Sequence, residues 1–290
     1  MILTQKKVLF EPFKDRIEKE IQHAIYEMGE KSNLRDACEY ALTNGGKRFR
    51  PLIVLMVAEA LPPKLNAIKA ALSVEFFHTA SLIADDLPSM DNDDMRRSKP
   101  SLHKVYEESV AILTTYTLIS MGYSYIQKNA EEMGRTMGFS GYSDKACVIA
   151  LKAVSDLAGI LGATGGQYLD LFPPETNLAN LRKMIYQKTV TLFEISFILG
   201  WIFGGGNFQR IDEVKKCAYH LGMAFQIADD MSDVLQDKRQ KNNIASFLGK
   251  KEALKSFHHE MAEFEKMLQT LGIQSENFAA ISSLLISSTK

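Results

Sequence analysis

The sequence predicts an all-α protein. Apolar residues recur at helical spacing through long stretches, and alternating strand patterns are scarce. Proline and glycine fall between the periodic stretches. The stretch 65–84 is rich in Ala, Leu, Phe and Ile and contains neither breaker, so it reads as a helix. Stretches 109–133, 144–162, 178–203, 211–236, 250–270 and 276–287 read the same way. Pro62-Pro63, Pro173-Pro174 and Gly204-Gly205-Gly206 punctuate them, the glycine triplet as a helix C-cap rather than a phosphate loop. Asp144 and Asp212 stand where N-caps are expected. The apolar run 192–203, preceded by polar Gln187 and Lys188, is too short for a membrane span and reads as a buried core helix. Several helices are apolar on more than one face, which implies a central bundle with shielded helices or a dimer interface. With no repeat, low-complexity tract or linker-like break, residues 1–290 are expected to form one helical domain.

Composition narrows the class. The chain has 290 residues, 46% apolar and 24% charged, enough for a substantial core. Its 34 basic and 35 acidic residues leave a net charge of −1 without a basic stripe, so no nucleic-acid partner is expected. Cys38, Cys147 and Cys217 are far apart and odd in number, which suits a reducing compartment. Residues 1–13 are too charged for a signal peptide. A cytoplasmic protein without a transmembrane segment is expected.

Two aspartate clusters carry the chemistry. Asp229 and Asp233 are four apart, within ~40° of each other on a helix, and Asp230 flanks them. Their neighbours Phe225, Ile227, Met231 and Val234 belong to a core helix. Carboxylates stacked on a buried face repel each other and lose solvation, and a cation removes both penalties. Oxygen-only ligands favour magnesium over zinc or copper, and the calcium-loop spacing is absent. The other cluster is Asp85-Asp86-Leu87-Pro88-Ser89-Met90-Asp91. Asp85 and Asp91 are six apart, ~120° off on an ideal helix. Pro88 disfavours helix at Leu87, so the chain can bulge and return Asp91 towards Asp85. Basic groups stand near both clusters. Arg96-Arg97 follows the first, and Gly45-Gly46-Lys47-Arg48-Phe49-Arg50-Pro51 opens a helix. Backbone N–H groups, Lys47 and Arg50 can hold a diphosphate there, although the segment is not a P-loop; the alternative is a solvated basic turn.

With these motifs the chain resembles the trans-type polyprenyl diphosphate synthases, particularly the geranylgeranyl and farnesyl diphosphate synthases of bacteria and plastids. The likeness runs through GGKRFRP at 45–51, EFFHTASLIADDLPSMDNDDMRR at 75–97, KPSLHKVY at 99–106, GGQYLDL at 165–171, Lys188-Thr189 and FQIADDMSD at 225–233. The resemblance implies an isoprenoid-synthase-type bundle of antiparallel helices around a central cavity. It implies that Asp85, Asp86, Asp91, Asp229, Asp230 and Asp233 bind two to three Mg2+ ions gripping an allylic diphosphate. Arg96, Lys188 with Thr189, Gln226 and Lys241 would complete that grip. Gly46, Lys47, Arg50, His78 and Arg97 would bind isopentenyl diphosphate. A homodimer is expected on the same ground. Ala80 is small where farnesyl-type enzymes carry an aromatic ring, and Phe77 lies three residues deeper, about 4.5 Å along a helix. Phe77 can floor the tunnel for a C20 geranylgeranyl product, with farnesyl diphosphate the shorter option; the alternative is core packing away from the tunnel.

The family pattern also breaks in places. Ala84 replaces the usual histidine, Tyr116 an acid, Ser98 a common glycine and Val190 a small residue. After Asp233 the chain is shorter than the family loop by roughly a dozen residues. Two other readings therefore stand beside the synthase: a weakly active or inactive subunit that modulates a partner synthase, and a terpene cyclase. The cyclase would not need Lys47, Arg50 and His78 and ranks last.

Overall fold

The computed structural model describes residues 2–235 and 243–289, and Lys241 lies outside them. The helices are α1 (Ile2–Glu27), α2 (Asn33–Thr43), α3 (Phe49–Glu59), α4 (Ile68–Asp85), α5 (Leu102–Gly134), α6 (Ser140–Ala158), α7 (Ala163–Leu171), α8 (Leu178–Ile185), α9 (Thr191–Phe203), α10 (Ile211–Leu235), α11 (Ile244–Leu248), α12 (Lys250–Leu271) and α13 (Glu276–Ser288). Among the described residues the strands are β1 (Met95–Arg96) and β2 (Lys99–Pro100), an antiparallel pair.

Local chemistry starts several helices. Ser32, Asn177, Asn243 and Ser275 each accept a backbone N–H from the residue three further on, opening α2, α8, α11 and α13. Packing sets the rest. Every residue of α9 is buried, as expected of a helix that is apolar all round. Around it lie α3, α4, α6 and α10, while α4 also packs along α5 and α10 along α12. The ends of α3, α4 and α10 that carry charged motifs therefore project from one apolar scaffold.

Several expected boundaries shift. The 178–203 stretch is interrupted by a π-helical turn at Tyr186–Val190. The 109–133 helix begins at Leu102 and kinks at Glu107, whose φ is 68°. The 144–162 helix stops at Ala158, and α7 starts beyond the break at Gly159 and Gly162. That break also divides residues 140–171, which have the length and hydropathy of a membrane span. Neither Asp144 nor Asp212 is an N-cap. The start of α6 moves up to Ser140 because the Tyr142 hydroxyl lies 2.9 and 2.7 Å from the carbonyls of Ile202 and Gly206 while its ring stacks on Phe208. Asp212 falls in the first turn of α10, which continues directly from a 3-10 turn at Phe208–Arg210 capped by Asn207.

Within this core Glu194 is a buried acid, 4% exposed, with the Tyr186 hydroxyl donating at 3.4 Å. Burial pushes it up to about 7, against the pull of Lys215. A folded-state value above the ordinary 4.5 means that the neutral form suits the fold, so stability falls as pH rises from about 4.5 through 7. Glu194→Gln should therefore stabilise the protein at pH 8 by on the order of 2 kcal/mol and make little difference near pH 4.5. Urea unfolding at the two pH values checks this; an equal gain at both would contradict it.

Candidate active site

The first acidic cluster forms where α4 ends. With Leu87 barred from continuing the helix by Pro88, the chain bulges, and the Asp91 N–H donates to the Asp85 carbonyl at 2.9 Å. Asp91 is thereby returned to Asp85, as the spacing required. Asp86 is buried and engaged by Arg96, whose Nε lies 3.0 and 3.2 Å from the two carboxylate oxygens while Nη2 also donates. The hairpin that presents Arg96 turns through Arg97 and Ser98, at φ 53° and 65°. Two left-handed residues are what such a tight turn demands, which is the physical reason for a glycine at position 98 in the family pattern.

The second cluster lies near the end of α10. Asp229 is exposed and Asp233 half-buried, whereas Asp230 is buried. Asp230 accepts from Gln226 Nε2 and from the Ile244 N–H, both at 2.7 Å, and Asn243 Nδ2 donates to its carbonyl at 2.9 Å. The far end of Gln226 accepts from Thr189 Oγ1 at 2.8 Å. Thr189 and Lys188 come from the π-helical turn, a distortion common at functional sites. Gly166 of α7 packs against this turn so closely that a methyl there would collide with the Lys188 backbone nitrogen, whereas a methyl at Gly165 would meet the Ile160 carbonyl. Val190, larger than the family's usual residue, meets Gly222 of α10, where the missing side chain makes room.

Lys188 joins the parts. Its Nζ lies 2.5 Å from Asp170 of α7, and its charge also pulls on Asp85 and Asp91. Burial nevertheless pushes Asp85 and Asp230 up to about 6 and raises Asp91, with neighbouring carboxylates adding to the effect. Among the described residues no three acidic, His or Cys side chains close into a metal cage.

A cationic group stands beside the acids. Gly46, at φ 125°, takes a conformation side chains resist, and a Cβ there would strike the Arg97 guanidinium, which donates to the Gly45 carbonyl. Arg50 Nη1 lies 3.2 Å from His78 Nε2, and the guanidinium carbon is 5.2 Å above the Phe193 ring. Arg50 Nε and His78 Nδ1 are buried without a hydrogen-bond partner among the described residues. Burial pushes Arg50 down to about 10 against the pull of Glu75, and burial with the surrounding arginines holds His78 well below its ordinary range, hence neutral. Lys47 is exposed. The charge of Asp229 reaches Arg50, so the acidic and cationic groups share one region.

The structure thus brings Arg96 to Asp86, Asp91 back to Asp85, Thr189 and Gln226 to Asp230, and Arg50 to His78, while Lys241 lies outside the described residues. Tyr116 is 64% exposed on α5 and does not line the interior. Two acids went unassigned by sequence. Asp170 sits in GGQYLDL, and Glu75 opens the motif that ends in the first aspartates; only their burial and partners distinguish them from helix-surface acids.

Fold and site together define an isoprenoid-synthase type of helical bundle. Over 100% of this chain and 98% of the other, the structure superposes on a geranyltransferase from Legionella pneumophila with TM-score 0.81 and 25% identity. It matches an FPP/GFPP synthase from Zymomonas mobilis with TM-score 0.80 and 25% identity, covering 99% and 100% of the two chains. The polyprenyl synthetase family pattern matches residues 31–250, and the chain belongs to that family. Among curated relatives it is 35% identical over 237 residues to heterodimeric geranylgeranyl pyrophosphate synthase large subunit 2 of Arabidopsis thaliana. That match covers 80% of this chain and 60% of the relative's length.

The α7 contact yields a test. Gly166→Ala should destabilise the protein by about 1–3 kcal/mol through overpacking. Gly141→Ala, in α6 with nothing near its would-be Cβ, should be neutral or stabilising by up to about 1 kcal/mol. Denaturant midpoints decide; equal tolerance of both would show that α7 does not press on the Lys188 turn.

Proposed function

We propose that the protein is a trans-prenyltransferase that condenses isopentenyl diphosphate with an allylic diphosphate, with the whole chain forming one catalytic domain. The carrying observation is the joining of an acidic and a cationic site through Lys188 and Arg50. Arg96 pairs with Asp86, Lys188 pairs with Asp170 while its charge acts on Asp85 and Asp91, and Arg50 stands beside His78 where the charge of Asp229 acts on it.

The donor set fits magnesium. Asp91 and Asp229 are open to solvent and Asp85 and Asp233 half-buried, so oxygen ligands are crowded at the protein surface, and a cation relieves the repulsion among them. Magnesium is usually held by one or two carboxylates plus substrate phosphates, so a closed protein cage is not required. Asp85, Asp91, Asp229 and Asp233 would hold it directly, with Asp86 and Asp230 behind them fixing Arg96 and Gln226. When bound, magnesium neutralises charge on the departing diphosphate.

Lys188 and Arg96 orient the allylic diphosphate and add positive charge as its C–O bond breaks. Lys47, Arg50 and Arg97 hold isopentenyl diphosphate, neutral His78 hydrogen-bonds, and bare Gly46 lets the ligand approach the backbone. The double bond of isopentenyl diphosphate then forms the new C–C bond, and the proton released goes to the departing diphosphate. Phe49, Phe193 and Phe225, mutually in ring contact, wall off water that would quench the allylic cation.

The favoured product is geranylgeranyl diphosphate. Ala80 is buried and small, and the Phe77 ring fills the space between α4 and α5, against Gly122 and edge-on to Tyr123 at 5.2 Å. A synthase name on the Arabidopsis relative supports this reading, as does the resemblance of the aspartate motifs. The exposed apolar residues Ile112, Leu113, Tyr116, Ile119 and Tyr123 of α5, with Val148 and Leu151 of α6, suit coverage by a second subunit, a homodimer in this reading.

Asp85→Ala and Asp229→Ala should each cut turnover by on the order of 100-fold or more while the helical circular dichroism signal is kept. Near-normal turnover in either would sink the proposal. Phe77→Ala should lengthen the product and Ala80→Tyr shorten it to farnesyl diphosphate. Chromatography of the products by chain length reads the outcome, and an unchanged distribution in Phe77→Ala would place the floor elsewhere.

A further inference from the structure

Arg48 lies within the loop assigned above to isopentenyl diphosphate, yet its side chain is turned into the protein. The residue is 3% exposed and left-handed, at φ 49° and ψ 34°, immediately before α3. Arginine resists that backbone conformation, so something must hold it there. The guanidinium supplies the answer through three other helices. Nη1 donates to Glu75 Oε1 of α4 at 2.5 Å, Nε to Glu18 Oε1 of α1 at 2.6 Å, and Nη2 to the Leu42 carbonyl of α2 at 2.5 Å.

Glu75 is the buried member of this group. Its side chain is 1% exposed, whereas that of Glu18 is 46% exposed. An ionised carboxylate at that depth persists only with a charged, hydrogen-bonded partner, which Arg48 provides. Glu75 also opposes the desolvation of Arg50 and Arg97, the two neighbouring cations. It stands ten residues before Asp85, about 15 Å along the helix axis, away from the acidic cluster.

We propose that Glu75 and Arg48 are positioning residues for isopentenyl diphosphate: their buried ion pair locks the left-handed turn that presents Gly46, Lys47 and Arg50, and Glu75 supplies the local counter-charge. This rests on the functional reading of the loop, and the controls separate the two. Neither residue touches the reacting atoms, so their loss should weaken one substrate selectively.

Steady-state kinetics on the whole protein, varying each substrate in turn, tests this with Glu75→Gln, Glu75→Asp, Glu18→Gln and Lys47→Ala. Glu75→Gln should raise KM for isopentenyl diphosphate about tenfold or more, with KM for the allylic substrate within about twofold. Glu75→Asp should recover part of the loss, and the exposed Glu18→Gln should change little. Should Glu75→Gln fold poorly, the pair Arg48→Gly with Glu75→Gln removes both the buried charge and the backbone strain. That double variant should fold and still show the raised KM, because the tether is gone. A normal isopentenyl KM in the folded double variant, alongside a raised one in Lys47→Ala, would overturn the positioning role and leave the loop assignment standing. Equal rises for both substrates would also overturn it. An unchanged KM in Lys47→Ala would overturn the loop assignment and the proposal with it.

Discussion

Like charges crowded at the edge of an apolar core are the constraint on which the rest of the structure depends. Asp85, Asp91 and Asp230 are all pushed above the ordinary carboxylate range, chiefly by burial. A fold that only had to be stable would not bury a carboxylate such as Asp230. Here they are held in place by fixed partners: Arg96 on Asp86, Gln226 and the Ile244 N–H on Asp230, and the Asp85 carbonyl on the Asp91 N–H. Crowding that disfavours the empty site favours a cation and an anionic substrate that the cation can share.

The scaffold has to be stiff for this to persist. A fully buried α9, flanked by α3, α4, α6 and α10, gives the charged helix ends a common base. Close approach does the fine placement. Gly166 lets α7 reach the turn that carries Lys188, and Gly46 lets Arg97 fold over the loop at 45–51. Arg48 and Glu75 complete the pattern from below, tying that loop to α1, α2 and α4. Each device spends local comfort, a buried charge or a left-handed residue, on the position of a side chain that faces the site.

Much of this could be read in the sequence, and the failures share a cause. The bulge at Pro88 follows from a local rule, and so did the return of Asp91 to Asp85. The long apolar helices were legible because their periodicity is their packing. A helix at the N-terminus was also signalled, by Phe10, Phe13, Ile17, Ile21 and Ala24 on one stripe, but the charged residues and Pro12 between them masked it. The π-helical turn could not be read, since its packing partner Gly166 lies twenty or more residues away in the chain. Asp144 misled as a cap because Tyr142 bonds across to α9 and moves the helix start. In the site, residue types that repeat in a motif were visible. Asp170 and Glu75 were not, because their roles depend on a lysine and an arginine that only the fold brings near.

The most direct measurement is incubation of the purified protein with magnesium, isopentenyl diphosphate and each allylic primer in turn, with products separated by chain length. Acidic and cationic sites joined as they are here should elongate an allylic primer without any other protein, giving the C20 diphosphate as the main product. Failure to elongate any primer alone, together with a changed product distribution from a partner synthase when the protein is added, would contradict that and assign it a modulatory role instead.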